Sequence, residues 1–438
     1  MQCYNLLIDC HCGVVTFEFR LDIPVENEDW NTTVREEVEI LLQDLRLDPF
    51  RGQYGYHGYE DSPFMYIVQE GKPDVLEAMV ELHPCIESYT TADRQNKLNR
   101  ALHKAIKHRR LDNVKFLVKT LNAHLDYVDA QGRNALLVAL GHDETIAQFL
   151  VDLGADVHSV DRHGLSALHW AACSGFRSSC IKLLDKQLDI NLHAKQGATP
   201  LMVACSSRHK EIVDLFLARS CDVNTTTPEG WTALHVAVRA CSASIVKRLL
   251  QAGANPNVTS CKLTHNSDVV PASTPLMIAI ALNSMKIIKH LFDANVDITL
   301  PGSVCLNPTF SSSESEEDSR IVEKHKCAPV QYAILSRAWD VCALLMKAGC
   351  DARVVERWIE ENRAPVSIPH DRLLFLRMQL RTVLTSPASL RQLTRRKIRA
   401  CLGGTLLDKI QTLPLSQQLR QYLLCHELFR PTCGVIDV

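Results

Sequence analysis

Three stretches of this chain open alike at a fixed interval, and that periodicity limits the fold more than any other feature. They read Gly164-Leu165-Ser166-Ala167-Leu168-His169, Gly197-Ala198-Thr199-Pro200-Leu201-Met202 and Gly230-Trp231-Thr232-Ala233-Leu234-His235, with successive glycines 33 residues apart. Each opening runs into a small-residue segment (Ala171-Ala172, Ala204, Ala237) and then an apolar one. The apolar segments hold Ile181, Leu183 and Leu184, then Ile212, Val213 and Leu215, then Ile245, Val246, Leu249 and Leu250. Asp and Asn close the units, as in Cys221-Asp222-Val223-Asn224. These residue types have local jobs. A Ser or Thr oxygen caps a first helix, and Pro200 fits the first helical position because that N–H has no partner anyway. Alanine lets neighbouring first helices approach, while the paired aliphatics of the second helix fill the space between layers. No unit buries its apolar side alone, so the units must stack.

The interval and the opening together resemble the ankyrin repeat, a turn followed by two antiparallel helices. Weaker copies extend in both directions. The anchors Phe64, Leu102, Leu136, Leu168, Leu201, Leu234 and Leu276 are 38, 34, 32, 33, 33 and 42 residues apart. An eighth copy begins at Pro329-Val330, giving about eight repeats over 61–353. The excess before Leu276 is a polar finger-loop insertion at 261–272, and a longer insertion occupies 301–326. The latter contains Ser311-Ser312-Ser313-Glu314-Ser315-Glu316-Glu317-Asp318-Ser319 and reads as a solvated acidic loop. Ser311, Ser313 and Ser315 each have an acidic residue three positions on, which suits an acid-directed kinase.

Composition narrows the function. The chain is 46% hydrophobic and 22% charged with a formal net charge of −2, so it lacks the basic excess of a general nucleic-acid or membrane-surface protein. No apolar run approaches the roughly 20 residues of a membrane span. The N-terminus has no basic segment ahead of an apolar core, and Asp9 interrupts its apolar character, so no secretory signal is expected. The 17 cysteines are odd in number and scattered, with Cys173, Cys205, Cys241 and Cys342 expected on apolar helix faces as small hydrophobes. That usage points to a reducing compartment, cytoplasmic with the nucleus as a second location. Cys10-His11-Cys12 cannot share one tetrahedral zinc, and no second ligand pair follows. No phosphate-binding glycine loop, zinc motif or nucleophile elbow occurs. The expectation is therefore no cofactor, no metal, no catalytic residue, no nucleic acid and no membrane. His103, His169 and His235 belong to the repeat and are read as structural.

Residues 1–60 do not fit the repeat and form an extension or cap. Within them Val14–Leu21 alternates like a short strand or hairpin, Val34–Leu45 has the apolar stripe of a helix, and Tyr54–Tyr59 reads as loop. Past the repeats, 354–385 reads as bridging helices. Next, Ser386 caps, Pro387 opens and Gly403 closes a helix of about four turns. Leu390, Thr394, Ile398 and Leu402 are spaced by four, with Leu393 and Cys401 beside them. A shorter helix at Leu406–Gln411 and a third reaching Leu428 bracket Leu413-Pro414-Leu415-Ser416. Three such helices make too little core to stand alone, so the module needs a partner. Arg391, Arg395, Arg396 and Arg399 are its solvated face.

This tail, 386–430, resembles the SOCS box, and the whole chain is similar to the ankyrin-repeat and SOCS-box family. The fold class this implies is all-α: an ankyrin-repeat solenoid followed by a three-helix SOCS box, with a small N-terminal extension. Such proteins are non-catalytic substrate receptors of cullin-RING ubiquitin ligases. The resemblance implies that Leu390, Leu393, Thr394, Ile398 and Leu402 contact elongin C, itself bound to elongin B. Leu413, Pro414 and Leu415 would engage a cullin carrying a RING-box protein. Ankyrin proteins bind partners along the concave face and finger tips. Trp170, Arg208, His209, Trp231 and Arg109 stand at variable or turn positions there and are the candidate contacts for a protein substrate with an acidic or aromatic-bearing segment. Two residues depart from the family pattern. Ser416 replaces the last proline of the cullin segment, and Thr394 replaces the usual cysteine. The competing reading is an ankyrin scaffold without ligase activity. An unsatisfied hydroxyl in an apolar pocket costs about 1–3 kcal/mol, or roughly 5- to 150-fold in affinity. Thr394→Cys should therefore tighten elongin binding, and calorimetry giving equal or weaker affinity would mean that the hydroxyl is satisfied.

Overall fold

The computed structural model describes residues 4–8, 17–21, 63–70, 73–82, 91–263, 269–271, 273–302, 328–336, 338–348, 350 and 417. The chain divides into two compact units, Met1–Arg162 and His163–Val438.

The first unit holds strands β1 (Tyr4–Ile8) and β2 (Phe17–Leu21), paired antiparallel with Leu6 opposite Phe19. The strand expected within Val14–Leu21 is thus one arm of a hairpin. Among the described residues six helices follow: α1 (Pro63–Glu70), α2 (Pro73–Leu82), α3 (Thr91–Lys107), α4 (Leu111–Lys119), α5 (Ala135–Leu140) and α6 (Glu144–Asp152). They pair as α1–α2, α3–α4 and α5–α6, with first helices α1, α3 and α5 packed in a row.

The second unit repeats this plan. Its helices are α7 (Ala167–Ser174), α8 (Arg177–Asp185), α9 (Pro200–Ser206), α10 (Lys210–Ala218), α11 (Ala233–Arg239) and α12 (Ala243–Gln251), then α13 (Pro275–Ala281), α14 (Met285–Asp293), α15 (Pro329–Leu335) and α16 (Trp339–Ala348). The odd-numbered helices pack side by side in one row, and α8, α10, α12 and α14 form another. The core lies between the rows: Leu168, Leu201, Leu234 and Leu276 from the first helices meet Leu183, Phe216, Leu249 and Leu291 from the second, all nearly inaccessible. No helix among the described residues is long and apolar enough to cross a membrane.

The repeated opening folds this way for local reasons. Thr199 and Thr274 accept hydrogen bonds from the amides of Met202 and Met277 at 3.4 and 3.3 Å, capping helices that begin with proline. The repeated glycine ends a finger turn. Gly197 has φ +74° and donates its amide to the Ala194 carbonyl at 2.8 Å. Gly164, at φ +75°, meets the next finger so closely that an added Cβ would lie 2.9 Å from the Lys195 nitrogen. Backbone angle and space both require glycine there.

The closing Asp and Asn residues are joints. Asp222 folds its own turn by accepting the Asn224 amide at 2.9 Å, and Asn224 then accepts the Asn255 amide of the next repeat at 2.8 Å. Asn191 does the same for Asp222, and Asn257 for Asp297. Each repeat therefore presents a side-chain acceptor to its successor, which explains the Asx-x-Asx spacing.

Two features differ from expectation. The insertion at 261–272 is a hairpin at its base, β3 (Cys261–Leu263) against β4 (Val269–Pro271). Val269 and Val270 favour strand, and Ser260 and Ser273 clamp the entry, the Ser260 amide donating to the Ser273 carbonyl at 2.9 Å. Cys205 and Cys342 are buried as expected, but Cys173, in the last turn of α7, and Cys241, in the turn after α11 with φ 55°, are exposed. The expected helix at 34–45, the loop at 54–59, the acidic insertion, the bridging helices and the SOCS-box contacts lie outside the described residues. Replacing Asn224 by Ala removes the bond from the Asn255 amide and the one its own side-chain amide donates to the Gly253 carbonyl at 3.2 Å, and should lower stability by about 1–2 kcal/mol, measured as a shift in the urea midpoint. No shift would mean that water replaces the joint without loss.

Candidate site on the first-helix face

The repeat length places equivalent residues of α7, α9 and α11 in columns. One column is Trp170, Val203 and Val236, half-buried to nearly buried. The next is Cys173, Ser206 and Arg239, all exposed, continued by Ala281 on α13. A third runs Ser174, Ser207, Ala240 and Leu282, of which Leu282 is 41% exposed. The floor of this face is thus small and polar around Ser206 and Ser207, then charged at Arg239, then apolar at Ala281 and Leu282.

The structure distributes the five expected substrate contacts. Arg109 belongs to the first unit and ends α3 in a left-handed conformation with φ 58°. Its charge acts on Asp143, the cap of α6. Burial pushes that carboxyl up, but hydrogen bonds from Thr145 and Ile146 together with Arg109 hold it below the usual carboxylate range. The other four belong to the second unit. Trp170 is half-buried on α7, and Arg208 is exposed in the turn after α9 with φ 61°. His209 turns back to the preceding repeat. Its Nε2 lies 3.0 Å from the Cys173 carbonyl, and its ring covers Gly175, where an added Cβ would come within 2.7 Å of it. Trp231 stands on a finger with its ring against His235 and under the Arg239 guanidinium, 4.8 Å from ring centroid to cation. Arg239 and Leu282 were not among the sequence candidates, although the 33-residue column through Cys173 and Ser206 leads to Arg239.

The histidines of the repeat are structural, each in its own way. His169 Nδ1 accepts from the Ser166 amide at 3.2 Å, so Nε2 carries the proton and donates to the Ala198 carbonyl of the next repeat at 3.0 Å. His235 caps through Thr232 in the same manner, while its Nε2 has no hydrogen-bond partner among the described residues. His103 sits inside the long α3, where the cap position is Arg100, and neither ring nitrogen has a hydrogen-bond partner among the described residues. Burial lowers both His103 and His235 to about 4. Burial likewise pushes the thiols of Cys221 and Cys342 up to about 11 and about 12, which leaves them protonated and inert. Among the described residues no group of His, Cys, Asp or Glu is arranged to hold a metal ion.

The comparisons with known proteins agree. A family model of ankyrin repeats matches in three copies, over 34–161, 121–194 and 168–260, and a SOCS-box model matches 386–424. A protein described as inactive serine/threonine-protein kinase TEX14, from Bos taurus, is 34% identical over 109 residues, which is 24% of this chain. The chain spans 7% of the length of that curated relative. In class, the chain is an ankyrin-repeat array that carries a SOCS box. It belongs to the ankyrin-repeat and SOCS-box family.

The buried histidines give a pH dependence of known sign. Each is neutral when folded until about pH 4, whereas an unfolded histidine takes up its proton near pH 6.5. Their stabilisation is complete above that value and is lost as pH falls through the interval. Denaturant midpoints should fall between pH 6.5 and pH 4. His103→Leu should flatten the slope at little cost near neutrality, because no hydrogen bond is lost, whereas His169→Leu should destabilise at every pH. An unchanged slope in His103→Leu would remove this residue as the source.

Proposed function

We propose that this chain is the substrate-recognition adaptor of an elongin B/C–cullin–RING ubiquitin ligase. The observation that carries the reading is the match to a SOCS box over 386–424 on the same chain as an ankyrin array. Leu390, Leu393, Thr394, Ile398 and Leu402 dock on elongin C, and Leu413, Pro414 and Leu415 engage the cullin. The division of labour follows the domains: 61–353 captures the target, 354–385 bridges, 386–430 recruits the ligase, and 1–60 extends the array. The chain supplies no catalytic group and works in the cytoplasm and the nucleus. Trp170, Arg208, His209, Trp231 and Arg109 serve target capture, and Trp231 owes its place to Arg239.

A charge placed in a desolvated contact costs several kcal/mol. Leu390→Asp should therefore abolish co-purification of elongin B and C from cells, while the thermal midpoint of the chain stays unchanged. Wild-type elongin levels with this variant would remove the helix as the docking element. A wild-type chain that brings down no elongin would favour the scaffold reading instead.

A further inference from the structure

Arg239 differs from Arg219 and Arg248 of the same unit. Arg219 and Arg248, on the second-helix side, are matched by Asp185 and Asp214 at 3.4 and 2.6 Å. Arg239, in the last turn of α11, makes no ion pair among the described residues and is exposed. Its guanidinium instead lies on the Trp231 ring at 4.8 Å. Stacking on an aromatic face holds the planar fork in one orientation and leaves its N–H edges open, the geometry that receives a carboxylate in a bidentate way. One rung further along the same face, α13 ends in Ala281 and Leu282, and Leu282 is 41% exposed. Ala240 and Ala281 leave room between the two. On the other side, α9 itself offers Ser206 and Ser207, with Arg208 exposed in the turn that follows. Along the helices the face therefore has a direction: polar, then cationic, then apolar.

We propose that this face takes an extended segment of a protein partner, with a carboxylate on Arg239 and a large apolar side chain on Leu282. The spacing follows from the helices. Packed axes lie about 8–10 Å apart, and an extended chain rises about 3.3 Å per residue, so the acidic and apolar residues are about three positions apart. If the chain is the adaptor proposed above, this is the element its targets share, and the inference rests on that reading for its biological meaning.

The test is a selection of random peptides, displayed on phage and long enough to cross two rungs, against the full-length chain. The enriched sequences should pair Asp or Glu with Leu, Ile, Phe, Tyr or Trp two to four positions away. A synthetic peptide of the enriched sequence should lose about tenfold or more in affinity for Arg239→Glu and about threefold or more for Leu282→Ser. Lys247→Glu, which changes an exposed cation on α12, should leave binding unaltered. Selection repeated on Arg239→Glu should replace the acidic residue by Lys or Arg. Arg239→Gln, shorter and uncharged, should weaken binding of the original peptide if the charge-reversed variant proves unstable. Failure to enrich any sequence, enrichment without the acidic–apolar pair, or equal binding by Arg239→Gln and wild type overturns the proposal. Elongin co-purification from the same preparations is read separately. Its presence beside a failed selection discards the segment and keeps the adaptor reading. Its absence beside a successful selection keeps the segment and discards the adaptor.

Discussion

A helix of seven residues, such as α9, α11 or α13, has about two turns and leaves most of its backbone groups dependent on caps or neighbours. Such a helix persists here because both of its flanks are covered by other first helices and its inner side by a second helix. Everything else in each unit serves that stacking. Thr199, Thr232 and Thr274 satisfy the starting amides, the alanines keep the axes close, and Asn191, Asn224 and Asn257 tie each repeat to the next through its backbone. The interactions are nearly all between adjacent repeats, so the array is stabilised as a series of joints and not as one central core.

This arrangement also accounts for where binding groups can stand. The buried positions of a first helix are committed to packing, and its cap positions are committed to hydrogen bonds. What remains free is a narrow set of columns, and residues there can vary without disturbing the stack. Nature of side chain along a column then sets the chemistry of the face. Cys173, Ser206, Arg239 and Ala281 occupy one such column with four different side chains. The stacked Trp231 and Arg239 show how a finger and a helix cooperate: the finger supplies the aromatic plane, and the helix supplies the charge.

An ankyrin array and a SOCS-box match stand on one chain, and the adaptor proposed above divides its work between them. The SOCS-box match begins at residue 386, well beyond Leu282, which closes the apolar end of the face.

The repeat itself was legible in the sequence because its residues perform local tasks. Gly164, Gly197 and Gly230 answer a positive φ, Thr199 answers an unpaired amide, and Leu201 answers burial, each at the same interval. Local causes recur with the period and so can be read without a structure. The SOCS-box contacts were read from motif alone, and their residues lie outside those described. Only the tertiary structure showed that His209 seats over Gly175, that His103 lacks the cap its repeat partners have, and that 261–272 rises from a paired hairpin. The same holds for Arg239, which looks like any helix-end arginine until Trp231 is seen beneath it. In each case the deciding contact joins residues from different elements or different repeats. Their proximity is set by how the layers stack, and no pattern within either segment encodes it.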